Sequence, residues 1–469
     1  MKSLSILLSI LQDADKVFRI DTSRDWATVQ SRLKHEGLSF LTITLPTFSS
    51  WLEQSLEAGR ALSTITSSFR ALGKSVLPCF LQGLTKRVFD PVSGIVLTEA
   101  DPRSVQFIRT FCNEFKKLKL GCTEKRNRAA IEKFLATDSG LPENVVLDGI
   151  TRSVAHVVVS SLKFFLNDDA LPKHGPGATF ERITGNQKYK QREYYERWSE
   201  LVDYEQLYGY SYAGSRPMTL VSRDQEKPCR LSLVPKTLKT PRLIAVEPAA
   251  MQYGQQYVAS RLITSMRTSP LTRHLDFTDQ SVNRALAKKG SIDGSVCTID
   301  LSEASDRVSL ALVRELFSSD PELVDILMGF RSGKCKISAR KRFPARIIEL
   351  KKYSTSGSAL TFPVETLVFF ILVLSTLVRK DIGRGRSVRA SISYLAQSVS
   401  VYGDDIVAPA DSCRDICLAL EALGLKVNTG KTFFRGNFRE SCGGDYFRGH
   451  DVTPVYIRHD LPSSMRETE

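Results

Sequence analysis

The sequence has no apolar run long enough to cross a membrane. Its longest run, 367–378, already contains Ser375 and Thr376, whereas a membrane-spanning helix needs about 20 predominantly apolar residues. We therefore predict a buried helix at this place and no membrane partner.

The sequence also lacks the cysteine patterns of disulfide-rich and zinc-binding proteins. Its nine cysteines are odd in number, scattered, and include no CxxC pair, which argues against a disulfide framework and a structural zinc site. There is no internal repeat and no low-complexity segment, so solenoids and linker-rich architectures are excluded. These absences indicate a compact cytosolic protein.

Positive charge, by contrast, is in excess. The 469 residues include 65 Lys and Arg against 51 Asp and Glu, a formal net charge of +14. At 42% hydrophobic and 25% charged residues, the composition is that of an ordinary globular protein. The excess charge favours a polyanionic partner, with nucleic acid ahead of an anionic membrane surface.

Local patterns predict both helices and strands. Residues 1–165 have mostly helical patterns. Segment 226–248 is extended and basic, with prolines that exclude a helix between its lysines, and predicts a β-hairpin or arm. Residues 338–352 hold six basic residues and one Glu, and we expect an exposed hairpin there. Segment 354–361, rich in small residues, leads into the long apolar helix.

A buried strand over 296–301 is predicted to end on Asp300. A polar turn and an amphipathic helix from about Arg307 should follow, with Ser305 or Asp306 as its N-terminal cap. This pattern places a carboxylate at the open end of an apolar strand.

The tetrapeptide YGDD at 402–405 lies between two apolar β-like runs. It places Asp404 and Asp405 at a turn, and a plain Gly-Asp hairpin turn is the alternative interpretation. Carboxylates that meet at a sheet edge with Asp300 repel one another unless cations lie between them, and such oxygen ligands select Mg²⁺ or Mn²⁺. Two ions about 4 Å apart can activate a hydroxyl and stabilise a leaving phosphate oxygen.

Basic residues on the extended arm could bind phosphates. Lys236, Lys239 and Arg242 are spaced along this arm, and their side chains can reach over a triphosphate. The loop 354–361 could place backbone N–H groups and hydroxyls against a ribose or phosphate. A simple helix cap is the alternative for that loop.

Motifs at several places form one pattern. VYGDD follows IDLSEASD after about a hundred residues and SGSALTFPVETL after about fifty, which is similar to the palm of a viral RNA-directed RNA polymerase. With HGPGA at 174–178, LVPKTLKTPRLIAVEP at 233–248 and FRESCGGDYFRGHDVTPVYIR at 438–458, the chain more narrowly resembles the replicase β subunit of the single-stranded RNA phages, the leviviruses. The resemblance runs from about 170 to 458.

The resemblance implies a metal site and a ribose site. Asp300, Asp404 and Asp405 would be catalytic ligands of two Mg²⁺ ions, for which Mn²⁺ could substitute. Asp306 would lie near the ribose of the incoming nucleotide, where a site can test for the 2′-hydroxyl.

It also implies roles for the basic residues. Lys236, Lys239 and Arg242 would hold the triphosphate. Lys431 falls where such polymerases often place a lysine that protonates the leaving pyrophosphate, and Lys426 is its rival.

Two departures from the family pattern stand out. The loop that usually reads close to SSMGNG is STSGSA here, with Ser358 in place of Asn and Ala359 in place of Gly. Its nucleotide-binding residues would be Ser356, Gly357 and Ser358, and a serine bonds a ribose less rigidly. Family members also continue further into a thumb, whereas this chain stops eleven residues after VTPVYIR, so we expect a short or truncated thumb.

The predicted fold is an α+β right-hand polymerase, with an antiparallel palm sheet backed by helices. The expected divisions are an N-terminal region with helical fingers (1–225), fingers with the basic arm (226–290), palm (291–310), a fingers insertion (311–350), palm (351–432) and the start of a thumb (433–469).

The implied function is replication of a viral single-stranded RNA genome from NTPs. RNA template and product would be partners, and the family's habit adds host elongation factors Tu and Ts and a ribosomal protein, in the cytoplasm of a bacterial host. A reverse transcriptase is one rival, although it usually has Ala or Met in place of Gly403. A non-catalytic RNA-binding relic of a polymerase is the other.

Overall fold

The computed structural model combines helices and strands, so the chain is an α+β protein as predicted. The last eleven residues of the expected thumb segment lie outside the described part of the chain. The structure describes residues 2–63, 69–71, 75–166, 172–209, 217–340 and 343–458.

Sixteen α-helices lie within these residues. The first seven all lie within the N-terminal 165 residues that the sequence predicts as mostly helical. The helices are α1 (Lys2–Phe18), α2 (Ser23–Glu36), α3 (Leu45–Ala58), α4 (Gln82–Thr85), α5 (Pro102–Asn113), α6 (Glu124–Ser139), α7 (Gly149–Leu162), α8 (Tyr204–Tyr208), α9 (Ala249–Thr268), α10 (Ser281–Asp293), α11 (Ala304–Arg307), α12 (Leu310–Leu316), α13 (Pro321–Gly329), α14 (Thr361–Ile382), α15 (Val388–Leu395) and α16 (Cys413–Ala422).

Twelve strands in the described residues form four small sheets. The strands are β1 (Glu193–Tyr195), β2 (Thr219–Val221), β3 (Cys229–Val234), β4 (Arg242–Val246), β5 (Val296–Ile299), β6 (Lys334–Ile337), β7 (Arg346–Glu349), β8 (Ser400–Tyr402), β9 (Asp405–Pro409), β10 (Phe438–Ser441), β11 (Gly444–Phe447) and β12 (His450–Asp451). Their orders are β1-β2, β4-β3-β6-β7, β5-β9-β8 and β10-β11-β12.

The sheet β5-β9-β8 is antiparallel and carries the YGDD turn. Ile299 pairs with Ile406, and Tyr402 pairs with Asp405 across the two-residue turn. Because β5 and β9 are paired in this register, the residue after β5, Asp300, lies at the same sheet end as the turn. The strand–turn–strand prediction for YGDD is confirmed.

Helix α14 packs into the largest hydrophobic cluster. Within the described residues it is the one helix long and apolar enough to span a membrane, but 89% of its most apolar window is buried inside the protein. A core helix is therefore the simpler explanation, and the predicted buried helix is confirmed.

A second hydrophobic cluster joins the N-terminal helices to the C-terminal sheet. Phe438 and Phe447 pack with core residues of α1, α3 and α5. The buried Arg109 guanidinium of α5 pairs with Glu53 and Asp445. The Ile457 N–H donates to the main-chain carbonyl of Glu114, just after α5, at 2.7 Å. The sheet 438–451 is thus anchored to the first part of the chain.

The basic arm forms the predicted hairpin, in which β3 and β4 pair from Arg230–Val246 to Val234–Arg242. The second expected hairpin is also present as β6–β7. It begins earlier than predicted, and Lys352 at the end of the predicted segment is fully buried instead of exposed, because its side chain forms ion pairs inside the protein.

The predicted helix start after Asp300 is wrong. Residues 304–307 form the short helix α11, and the next helix is capped by Ser309, whose hydroxyl accepts the Leu312 N–H at 3.0 Å. Neither Ser305 nor Asp306 is a cap. The chain turns at Glu303 with φ +52°, a left-handed conformation that a sequence pattern does not reveal for a non-glycine residue.

Candidate active site

Asp300 lies just beyond strand β5 at the edge of an open cleft of about 680 Å³. Its position is fixed through Asn428, whose main-chain N–H donates to the Asp300 carbonyl at 2.9 Å and whose side-chain amide donates to the carboxylate at 2.7 Å. The carboxylate is therefore oriented by a neighbouring loop, and this loop also supplies Lys431 to the cleft.

The YGDD turn brings Asp404 into the same cleft. Gly403 has φ +60°, and a Cβ there would overlap the Phe362 ring of α14. Its N–H donates to the Thr366 hydroxyl at 3.1 Å. The turn thus needs glycine both for its backbone angle and for its close approach to the helix.

Asp405 lies at the start of β9 and does not line the cleft in the way that Asp300 and Asp404 do. The Asn283 side chain donates to its main-chain carbonyl at 3.2 Å. Burial and the neighbouring Asp404 charge raise the pKa of Asp405 to about 6, against the effect of a backbone N–H from Cys442. Asp405 is therefore placed behind the two cleft aspartates.

The electrostatics of the cleft suit a divalent cation. Burial raises the pKa of Asp300, and repulsion from Asp404 adds to this, while Lys431 and Asn428 oppose it. Among the described residues, no group of three His, Cys, Asp or Glu side chains is arranged to hold a metal. Two cleft carboxylates nevertheless fit Mg²⁺, which commonly binds one or two carboxylates together with substrate phosphates.

Basic side chains also line the cleft. Lys236 and Arg242 are among them. Burial lowers the pKa of Lys236, as does the charge of Arg242, whereas the charges of Asp404 and Asp300 act in the other direction. Lys239 is exposed in the turn between the strands and does not line this cleft.

Lys431 forms an ion pair with Glu440 at 2.9 Å. Burial alone would lower the pKa of Lys431, but the charges of Glu440 and Asp300 raise it above its usual value, so this side chain is protonated at neutral pH. Its rival Lys426 is exposed and is absent from the residues around the cleft. The geometry favours Lys431.

The serine loop before α14 touches the cleft through Ser356. The main-chain N–H of Ala245 donates to the Ser356 carbonyl at 2.8 Å, and a Cβ on Gly357, which has φ +122°, would overlap the Ala245 carbonyl. Ser358 is buried, and its hydroxyl accepts the Leu360 N–H at 3.3 Å. Gly357 and Ser358 therefore shape the loop, whereas Ser356 faces the cleft.

Asp306 also lines the cleft, one helical turn beyond the Glu303 bend. The hydroxyl of its neighbour Ser305 lies 3.3 Å from that of Ser356. The structure thus brings Asp306 and Ser356, which lie fifty residues apart in sequence, to one wall of the cleft.

Sequence reasoning missed several residues of the site. Glu365 of α14 is almost fully buried, lines the cleft, and has one carboxylate oxygen without a hydrogen-bond partner. Burial raises its pKa well above the usual value, and the nearby Asp404 and Asp306 add to this. The TFPVET motif contains Glu365, but its inward position depends on which face of α14 meets the turn.

Helix α6 was missed as well. Its residues Lys133, Phe134 and Thr137 line the cleft, and Lys133 pairs with Glu303 at the left-handed bend. No local signal in the sequence of α6 marks it as a wall of the site.

A cleft lined by both carboxylates and lysine and arginine side chains is suited to metal-complexed polyphosphates. The family comparison then gives the class of protein. The sequence model described as "RNA replicase, beta-chain" matches residues 174–466, which is more than half of the chain. This chain therefore belongs to the RNA replicase β-chain family.

Individual relatives are polymerase subunits of RNA phages. The chain is 37% identical over 230 residues to the RNA-directed RNA polymerase subunit beta of Qbeta virus (strain MX1), which covers 49% of this chain and 35% of that protein. It is 35% identical over 229 residues to the RNA-directed RNA polymerase beta chain of Enterobacteria phage fr, covering 49% and 37%, and 35% identical over 225 residues to that of Escherichia phage MS2, covering 48% and 37%. The matched part of this chain thus spans little more than a third of each relative.

Solved structures also show similarity. The RNA-dependent RNA polymerase of a human picorbirnavirus aligns with a TM-score of 0.47 and 14% identity, covering 73% of this chain and 66% of that one. Its insertion-loop deletion mutant aligns with the same TM-score and 15% identity, covering 72% and 67%.

Proposed function

We propose that this chain is an RNA-directed RNA polymerase that replicates a viral single-stranded RNA genome. The observation that carries the proposal is the placement of Asp300 and Asp404 in one cleft with Lys236, Arg242 and Lys431. The phage polymerase subunits to which the chain is similar support the reaction.

The proposed architecture is a right hand. Sheet β5-β9-β8 with α14 would be the palm, and the β3–β4 arm with the N-terminal helices and the 311–350 insertion would belong to the fingers. The segment 433–458 would begin a thumb. Its close packing with the first part of the chain supports a compact arrangement around the cleft.

Asp300 and Asp404 would bind two Mg²⁺ ions, with Asp405 assisting from behind and Mn²⁺ as a substitute. The chemistry such ions supply when bound is activation of the attacking 3′-hydroxyl and neutralisation of charge on the leaving phosphate. The chain's own residues orient the groups that react. Asn428 holds the Asp300 carboxylate in place, and Lys431 carries the proton that the leaving pyrophosphate needs.

Lys236 and Arg242 would hold the triphosphate, with Lys239 reaching in from the turn. Ser356 and Asp306 would face the ribose, and Gly357 and Ser358 would set the loop that presents Ser356. The basic surface would bind the RNA template and product along their backbones. Host elongation factors Tu and Ts and a ribosomal protein are proposed partners in the cytoplasm of an infected bacterium.

The test is template-directed incorporation of labelled NTPs with Mg²⁺, with and without elongation factors Tu and Ts. Asp404→Asn should abolish incorporation. Asp411→Asn is the matched control, because this aspartate lies at the far end of β9, with a largely exposed side chain, and should leave the rate unchanged.

The same assay separates the two rivals. A reverse transcriptase would incorporate dNTPs in preference to NTPs, and a non-catalytic relic would bind RNA without any incorporation. One structural observation already disfavours the first rival: a side chain at position 403, where that class usually has Ala or Met, would overlap Phe362.

A further inference from the structure

Lys352 is a fully buried lysine next to the cleft. Its ammonium donates to the Asp306 carboxylate at 3.1 Å, and its side chain has no exposed surface. Buried lysines are rare unless they are paired, because removing an ammonium from water is costly. The ion pair with Asp306 offsets part of this cost and ties the two side chains together.

Helix α6 holds Lys352 from the other side. The Asp138 carboxylate accepts the main-chain N–H of Lys351 at 3.3 Å and that of Lys352 at 3.1 Å. The same carboxylate lies 3.8 Å from the Lys352 ammonium, which also sits 3.6 Å from the centre of the Phe134 ring. Asp138, Lys352 and Asp306 thus form one chain of charges that leads from α6 to the cleft.

The backbone around Lys352 is also fixed. Its carbonyl accepts a hydrogen bond from the buried Arg331 guanidinium at 3.0 Å. On either side, the Leu310 N–H donates to the Lys351 carbonyl and the Tyr353 N–H donates to the Val308 carbonyl, both at 2.8 Å. Because the main chain of Lys352 is fixed and its side chain is fully buried, the ammonium has little room to move away from Asp306.

We propose that Lys352 is a positioning residue that sets the Asp306 carboxylate to accept a hydrogen bond from the ribose 2′-hydroxyl of the incoming nucleotide. The inference rests on the proposed function, since it deepens the role of Asp306 in that site. One carboxylate oxygen takes the Lys352 proton donor, which fixes the rotamer and leaves the other oxygen for the sugar. Because a carboxylate that bonds a hydroxyl loses that bond with a deoxyribose, its orientation determines sugar selectivity.

Part of this device lies outside the family match. The matched region starts at residue 174, whereas Asp138 and Phe134 belong to the earlier helix α6. The N-terminal region would therefore contribute to substrate selection through Lys352, although Asp138 itself does not line the cleft.

The test is equilibrium binding of ATP and dATP, measured with Ca²⁺ in place of Mg²⁺ so that turnover does not interfere. Wild-type protein should bind ATP about tenfold more tightly than dATP, as expected for one hydrogen bond to a charged acceptor. Lys352→Met should bring the two Kd values to within about twofold, mostly by weakening ATP binding, whereas Lys352→Arg should retain most of the preference.

A matched control removes the effect of lost stability. Val158→Ala creates a cavity on the buried face of helix α7, none of whose residues lines the cleft, and should leave the ATP preference intact. If Lys352→Met does not fold, Lys352→Gln, which keeps a donor without the charge, replaces it in the same comparison. A folded Lys352→Met or Lys352→Gln variant with the wild-type preference, or with equal weakening for both nucleotides, would overturn the inference.

Nucleotide binding tests the role of Lys352, and nucleotide incorporation tests the polymerase activity separately. A wild-type protein that incorporates NTPs but binds ATP and dATP equally would refute the role of Lys352 and leave the polymerase intact. A protein that prefers ATP in a Lys352-dependent manner but incorporates nothing would refute the polymerase alone.

Discussion

At the scale of single residues, the sequence predicts where the aspartates lie, but it does not predict the buried residues that surround them. Asp300 and Asp404 follow apolar strands, and paired strands bring their ends together. Lys352 and Glu365 are buried near them through contacts between distant segments. Such burial opposes the usual preference of charged residues for water, so no local pattern predicts it.

Replacing Gly403 by alanine should reduce activity more than the strain of its left-handed backbone conformation alone would. The new Cβ would need the left-handed conformation and would also overlap Phe362. We expect incorporation to fall about 100-fold, because small displacements of catalytic groups are costly. Gly294→Ala is the control: it has φ +68° but open space around it, so it should lose only about 1 kcal/mol of stability and keep its activity.

Lys431 offers a test of proton donation. Lys431→Arg should retain the pairing with Glu440, yet lower kcat about 100-fold, because a guanidinium does not release its proton. Lys426→Met should change kcat by less than about twofold, since this side chain is exposed outside the cleft. Single-turnover rates with NTPs measure both, and equal losses for the two variants would contradict the assignment to Lys431.

At the scale of elements, the strand–turn–strand unit and the basic hairpin were predicted well, because alternation and turn residues are local signals. The start of the helix after Asp300 was predicted wrongly, since Glu303 adopts a left-handed bend held by Lys133 from helix α6. The contribution of α6 to the cleft depends on tertiary packing and could not be read from its own sequence.

Asp25 in α2 makes the stability of the N-terminal helices depend on pH. Its buried carboxylate accepts the Leu81 N–H at 2.7 Å, and burial raises its pKa to about 6. The folded state therefore binds this proton more tightly than the unfolded state, in which the pKa is about 4, so this group's contribution to stability falls as pH rises from about 4 to 6.

Asp25→Asn should remove that part of the pH dependence. At pH 7 the variant should be more stable than wild type by about 1–3 kcal/mol, with little difference below pH 4. Urea unfolding at several pH values measures this. A variant that is less stable than wild type at pH 7 would show that the hydrogen bond to Leu81 outweighs the cost of burying the charge.

At the scale of the whole molecule, the composition predicts a polyanionic partner but not the contacts between the first and last parts of the chain. The first and last described segments share a hydrophobic cluster, and buried Arg109 pairs with carboxylates from both. These contacts join residues more than 300 positions apart, a separation at which sequence patterns carry no information about pairing.

The net charge of +14 should make RNA binding strongly dependent on salt. Each phosphate contact releases counterions, so the affinity for single-stranded RNA should fall by a factor of about 300 or more between 50 and 200 mM salt if six or more contacts form. Fluorescence anisotropy with a labelled single-stranded RNA measures this slope. Asp404→Asn should show the same slope, and an affinity independent of salt would contradict binding through the phosphate backbone.

The most direct measurement is extension of an RNA primer on an RNA template of defined sequence, with the four NTPs offered one at a time in Mg²⁺. The proposed site predicts that only the complementary NTP is added, that dNTPs are added poorly, and that Asp300→Asn and Asp404→Asn add nothing. Wild-type protein that binds the primed template but adds no nucleotide, with host factors present, would contradict the proposal that this cleft is a polymerase active site.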